Sequence, residues 1–152
     1  MRYYTIYTSK PTAEISKKVV DEITAESIKW NKDHGITGIL LCMENRFFQF
    51  LEGNEKDVTE VFEMIRKDPR HTDVIVRVKG YSNERVFSEW SMGSWMLSNE
   101  ELNSLSALKD LQVYLNDPVN TNLQSKNLVS MMHDIMKTWI EHEPERAKRL
   151  KG

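Results

Sequence analysis

Residues 36–53 read ITGILLCMENRFFQFLEG. The first part, ITGILLCM at 36–43, is almost wholly apolar and reads as a strand. Glu44–Arg46 read as a hairpin turn, residues 47–52 return as a second strand, and Gly53 breaks it. Outward from this hairpin the pattern is similar on both sides. Upstream, residues 13–31 place Ile15, Val19, Ile23 and Ser27 four apart, with Val20 and Ile28 widening the stripe, which predicts a helix stopped at Gly35 after an Asn31–His34 link. Before it, RYYTIYT at 2–8 is aromatic and β-branched, a strand ended by Pro11. Downstream, Val58, Val61, Phe62 and Ile65 mark a second helix closed near Asp68-Pro69. A fourth strand follows at 73–80, with Val74, Val76 and Val78 expected on one face, and a fifth within 86–97 around EWSMGSWM.

The order β-α-β-β-α-β plus one strand predicts an α+β, ferredoxin-like sheet with two helices on one face. The other face needs a cover. Residues 98–152 supply it, with Leu102, Leu105, Leu108 and Leu111 at spacing three, a break at Asp117-Pro118, and a stronger helix over 123–142. That helix carries Leu128, Met132, Ile135 and Trp139 on one side, and the charged tail from Glu141 to Gly152 is expected to fray. The expected division is a core at 1–97 and a helical extension at 98–152 that packs on the sheet.

The 152 residues fit one ordinary domain, and 39% hydrophobic with 29% charged residues is the composition of a folded, soluble chain. With 21 basic against 23 acidic residues there is no basic excess to suggest a nucleic-acid groove. Cys42 is the only cysteine, so no internal disulfide or cysteine-based zinc cluster can form, and the four histidines lack ligand spacing. No metal is expected. No apolar run has the length of a membrane span, and the chain opens on strand-like residues rather than a leader, so the expectation is a cytoplasmic protein.

Strand alternation isolates one odd residue. Phe47, Gln49 and Leu51 share a face, and Phe48 and Phe50 take the other. A primary amide among apolar neighbours needs a donor and an acceptor opposite it. Tyr7 is a partner from the first strand, on a face with Tyr3 and Thr5; Ser27 and Asn31 come from the helix end, and Trp90 and Met92 are expected to share a face of the fifth strand. A phenol and two amides make poor acid–base machinery. They can read the carbonyl and imide edge of a planar heterocycle, or serve only as a satisfied core cluster.

The chain resembles the BLUF family of flavin-binding blue-light sensors. The resemblance is carried by IYTS at 6–9, SIKWNKDHGITGILL at 27–41, FFQFLEG at 47–53, IRKDPRH at 65–71 and VFSEWSM at 86–92, in order across residues 1–97. It implies a photoreceptor rather than an enzyme. Tyr7 would donate an electron and a proton to excited flavin, and Gln49 would link Tyr7 to the flavin and rearrange. Asn31 would bind the polar edge of the ring, Ile23 and Ile65 would clamp it, and Ser27 and Met92 would stand beside it. Trp90 and Met92 would relay the signal, with the inward or outward placement of Trp90 open.

The implied cofactor is FAD, with FMN or riboflavin as alternatives. The implied output goes to a downstream protein or through self-association into a homo-oligomer. Two positions depart from the family pattern. Trp30 stands where a polar residue usually reaches the ring, and Met64 where some members have arginine. Lys29, Arg66 or Arg70 would then compensate in holding phosphate. A small ferredoxin-like enzyme such as an acylphosphatase would need an anion-cradling glycine loop after the first strand, which YTSKPTAE lacks. The competing reading is an interaction module that binds flavin weakly or without a productive photocycle. Glu52 reads as support for the turn before the second helix, His71 as a structural residue at a helix-to-strand turn, Cys42 as packed, and Met131, Met132 and Met136 as filling for an uneven helix–sheet contact.

Overall fold

A computed structural model describes residues 2–43, 45–116 and 125–152, without the side chains of 115, 116 and 125–127. Glu44 of the expected hairpin turn and the expected break at Asp117-Pro118 lie outside the described residues.

The strands are β1 (Arg2–Pro11), β2 (Thr37–Met43), β3 (Arg46–Gly53), β4 (His71–Ser82) and β5 (Gly93–Met96). They form one sheet in the order β4-β1-β3-β2-β5. Only the β2–β5 pairing is parallel. Helices α1 (Lys17–Asp33) and α2 (Glu55–Arg66) are the crossovers of the two split units. Ser16 caps α1 by accepting from Val19 N, and Asn54 caps α2 by accepting from Lys56 N. Gly35, at φ 65°, takes the left-handed position that ends the first crossover.

The sheet separates two cores. On one side Tyr7, Leu40, Cys42, Phe47, Leu51 and Met92 pack with Val20 of α1 and Val58 and Val61 of α2. On the other, Tyr4, Ile6, Ile39, Leu41, Phe48 and Phe50 meet the C-terminal helices. These are α3 (Asn99–Ser104), α4 (Ser106–Asn116), α5 (Ser125–His142) and α6 (Pro144–Leu150). Leu128, Met132, Ile135 and Trp139 form the buried stripe of α5, as their fourfold spacing requires. The spacing-three leucines do not lie on one helix: Leu105 is extended, and the chain breaks there between α3 and α4.

Three other expectations are corrected. Val74, Val76 and Val78 do not share a face. Ile6 pairs with Val78 but Tyr7 pairs with Val76, so Arg77 is an extra residue on β4. This β-bulge inverts the alternation. Val78 packs with the C-terminal helices, Val74 packs on the α1–α2 side, and Val76 is exposed.

The fifth strand is shorter than expected, since residues 86–89 form turns and pairing begins at Gly93. Trp90 and Met92 therefore fall on opposite sides of the sheet, Trp90 among the C-terminal helices and Met92 beside α1 and α2.

The charged tail does not fray, because long-range bonds hold it. Ala147 of α6 is buried, and its carbonyl accepts from Trp90 Nε1 at 2.7 Å. Arg146 donates to Ser94 O at 2.9 Å, Ser94 Oγ at 2.6 Å and Asp21 Oδ1 at 2.9 Å, joining α6 to β5 and α1.

Candidate functional site

On α1, Ile23, Glu26, Ser27, Trp30 and Asn31 recur at alternating spacings of three and one, so they fall along one stripe. That stripe forms one wall of a cavity of about 170 Å³ between α1 and α2. Val61, Met64 and Ile65 of α2 form the facing wall. The sheet closes the floor with Tyr7, Leu40, Phe47 and Gln49, and Asp68, Arg70 and His71 stand where α2 gives way to β4. Tyr7 and Gln49 face each other in the β1–β3 register, so strand pairing alone places the phenol beside the amide.

The floor is dry. Tyr7, Asn31 and Gln49 are each under 5% exposed. Gln49 Nε2 donates to the Met92 thioether at 3.5 Å, and Asn31 Nδ2 donates to Ser91 O at 3.0 Å. Asn31 Oδ1 is buried with no partner among the described residues. A buried acceptor on a cavity wall is suited to a ligand N–H. Burial, helped by the Asp68 carboxylate, pushes the Tyr7 phenol well above its ordinary range. Tyr7 thus remains a neutral O–H donor at neutral pH. It packs edge-on against Phe62 with ring centroids 5.4 Å apart.

At the mouth, Arg70 donates to Asp68 and to Glu26 Oε2 at 2.8 Å. Its hydrogen bonds hold the Asp68 carboxyl below the usual range. Trp30 stacks on His34 with centroids 3.6 Å apart and presents part of its surface to the cavity. His71 bridges Ser9 Oγ at 2.8 Å and the Ile65 carbonyl, a joint between β1 and the end of α2.

Most of the expected site residues come together. Tyr7, Ile23, Ser27, Asn31, Gln49, Ile65 and Arg70 all line the cavity, and Met92 reaches it through Gln49. Lys29 does not. It is exposed, two positions from Ser27 and off the stripe that lines the cavity. Arg70 lines the mouth with its guanidinium committed to two carboxylates, and Arg66 is paired with Glu63. Glu26 and Asp68 were not foreseen. The helical period that selects Ile23 and Ser27 also selects Glu26, but Asp68 lies beyond α2 and is placed by tertiary packing alone. Cys42 is buried, and its thiol is pushed up to about 12 by desolvation, which leaves it inert. Among the described residues no cluster of metal-ligating side chains is present, and no helix is long and apolar enough to cross a membrane.

A split ferredoxin-like sheet carrying a narrow apolar slot with amide groups on its floor and wall defines a binding module for a flat heterocycle. Residues 3–93 match the family model described as BLUF, sensors of blue-light using FAD. The chain belongs to the BLUF family of flavin-binding blue-light sensors.

It is 35% identical over 106 residues to the photoactivated adenylate cyclase subunit beta of Euglena gracilis, covering 69% of this chain and 12% of that protein. It is 32% identical over 87 residues to the blue light- and temperature-regulated antirepressor BluF of Escherichia coli K12, covering 57% of this chain and 22% of that protein. The chain therefore spans only a minor part of these relatives' length. Among solved structures it resembles the dark state of BlrB, a BLUF protein, with TM-score 0.68 and 28% identity over 90% of this chain and 96% of that one. It also resembles the photo-activated state of BlsA, with TM-score 0.65 and 27% identity over 88% and 94%.

The donor set fits a flavin. The isoalloxazine carries an imide N–H, which a buried acceptor without a partner among the described residues, such as Asn31 Oδ1, would suit, and flat apolar faces, which walls such as Ile23 and Ile65 would suit. Asn31→Ala is expected to weaken flavin binding by about 10- to 100-fold, since a lost buried hydrogen bond is worth about 1–3 kcal/mol. Equilibrium titration of apoprotein with flavin, followed by fluorescence quenching, measures this.

Proposed function

We propose that Tyr7 and Gln49 are the photoactive pair of this sensor, that Asn31 orients the ring, and that the bound flavin is FAD. The observation that carries this reading is the register pairing of Tyr7 with Gln49 on a buried floor where the Gln49 amide donates to a thioether, its one side-chain partner among the described residues. Bound flavin supplies blue-light absorption and an excited state that accepts one electron and one proton.

Tyr7 releases the electron, gives the proton from Oη, and regains both as the state relaxes. Its neutral protonated form, kept by burial, is what makes both available together. Gln49 then exchanges which end of its amide faces Tyr7 and which faces Met92. A thioether is a weak acceptor, so the Nε2–Sδ contact is given up at little cost. Both arrangements keep the amide bonded, which suits a reversible switch.

Ile23, Ser27 and Ile65 hold the ring, with Trp30 covering its edge in place of a polar contact. Arg70 acts at the mouth as a brace for Asp68 and Glu26, and the family description, rather than a cation at the mouth, is what supports FAD over FMN. The core is residues 1–97 and the output element residues 98–152. Met92 and Trp90, on opposite sides of the sheet, carry the change to a downstream protein or to a second copy of the chain.

The test is visible absorption of the flavin-loaded protein in the dark and just after blue light. A small red shift that relaxes in darkness is expected. Bound flavin with no shift would favour the module without a productive photocycle.

A further inference from the structure

Glu52 follows Gln49 on β3 but serves the opposite side of the sheet. It is 1% exposed and does not line the cavity. The expected support for the turn before α2 is not what it provides. Its oxygens accept from Val86 N at 2.8 Å, Phe87 N at 2.6 Å and Thr37 Oγ1 at 2.9 Å. A buried carboxylate is expensive, and these three donors are what offset its desolvation.

The two backbone donors open a segment, residues 86–92, that runs without strand pairing from the C-terminal helices round the end of β2 to the cavity side. Beyond Phe87 the tail holds the segment at Glu89 O, which accepts from Gly152 N at 3.0 Å, and at the Trp90 indole, which donates to Ala147 O at 2.7 Å, and three further contacts hold it toward the cavity. Gly38 N donates to Trp90 O at 3.2 Å, Asn31 Nδ2 donates to Ser91 O at 3.0 Å, and Gln49 Nε2 donates to Met92 Sδ at 3.5 Å. Two of these partners are the amides of the flavin site. The clamp at Val86 and Phe87 is the anchor nearest the start of the segment and acts with those at Glu89 and Trp90 in placing Ser91 and Met92.

We propose that Glu52 is a positioning residue of the photocycle: by clamping Val86 and Phe87 it sets the reach of the 86–92 segment, placing Ser91 O on Asn31 and Met92 Sδ on Gln49. The proposal rests on the assignment of Gln49 as the switch. A slack segment leaves Met92 a poorer competitor for the Gln49 amide, so the lifetime of the light state depends on a carboxylate that never touches the flavin.

The experiment compares wild type, Glu52→Gln, Thr37→Val and Leu108→Ala, all loaded with FAD. Glu52→Gln replaces an accepting oxygen with an NH₂ group that opposes a backbone N–H. Thr37→Val removes one donor to the carboxylate and is the milder perturbation. Leu108→Ala cuts into the remote helical core, where Leu108 is fully buried, and reports what loss of stability alone does.

Glu52→Gln is expected to change the dark-recovery rate by about fivefold or more with the flavin-to-chain ratio unchanged, since a lost hydrogen bond to a charged group is worth this much. Thr37→Val should move the rate in the same direction by less, and Leu108→Ala should not move it. Wild-type recovery in Glu52→Gln overturns the proposal. If Glu52→Gln does not fold, an unchanged rate in Thr37→Val overturns it, and a rate change in Leu108→Ala equal to the Glu52→Gln change does so too. A wild-type protein without any light-induced shift would instead sink the assignment of Gln49.

Discussion

Tyr7→Phe is expected to bind flavin at the same stoichiometry and to show no reversible red shift under blue light. The substitution keeps the aromatic ring that packs edge-on against Phe62 and the strand register with Gln49. It removes only the hydroxyl. Phenylalanine has no acidic O–H, so the electron and proton cannot leave together, and the Gln49 amide receives no stimulus to exchange its ends. Absorption spectra before and after illumination measure the loss, and a flavin-to-chain ratio equal to wild type shows that the slot is intact. A full red shift in Tyr7→Phe would remove the phenol from the mechanism and shift attention to the tryptophans.

Gly38→Ala is expected to give the largest loss of stability of any single methyl added to the sheet floor. A Cβ at Gly38 would stand 2.0 Å from the Phe50 carbonyl oxygen and 3.0 Å from its carbon. Both atoms belong to the central strand β3, so no side chain can swing aside. Overpacking of this kind costs about 3 kcal/mol or more when backbone must move. In urea the unfolding midpoint should fall, and in a chain of this size the melting temperature should drop by about 10 °C. Gly38 N also holds the Trp90 carbonyl, so the survivors should recover from light at an altered rate. A stability equal to wild type would mean that β2 and β3 can part without penalty.

The site was legible wherever a regular period placed it. Alternation along β3 singled out Gln49, pairing brought Tyr7 to it, the end of α1 supplied Ser27 and Asn31, and Ile23 and Ile65 came from the family resemblance. Periods fail where the chain leaves its repeat. The extra Arg77 inverts the faces of β4, and residues 86–89 turn where a strand was expected, so Trp90 and Met92 part company. The order of α6 was hidden for another reason. Its segment shows little apolar surface in sequence, and it is held by Arg146 and by the Trp90 indole, contacts made across much of the chain. Glu52 belongs to the same class: two of its three partners, Val86 and Phe87, lie on a segment with no period at all.

The bulged strand also bears on how this protein behaves at high concentration. β4 is the longest strand and forms an outer margin of the sheet, with Ile75 and Val76 exposed. A flat margin of that length and character would invite another chain to add itself as a further strand, and then another. Here Arg77 crimps the margin at its middle, and Asp73, at φ 52°, crimps it again near its start. A twisted, interrupted border cannot template unlimited growth. Closed, countable assemblies would therefore have to form through other surfaces, and removing the crimp should open this margin to strand-by-strand growth.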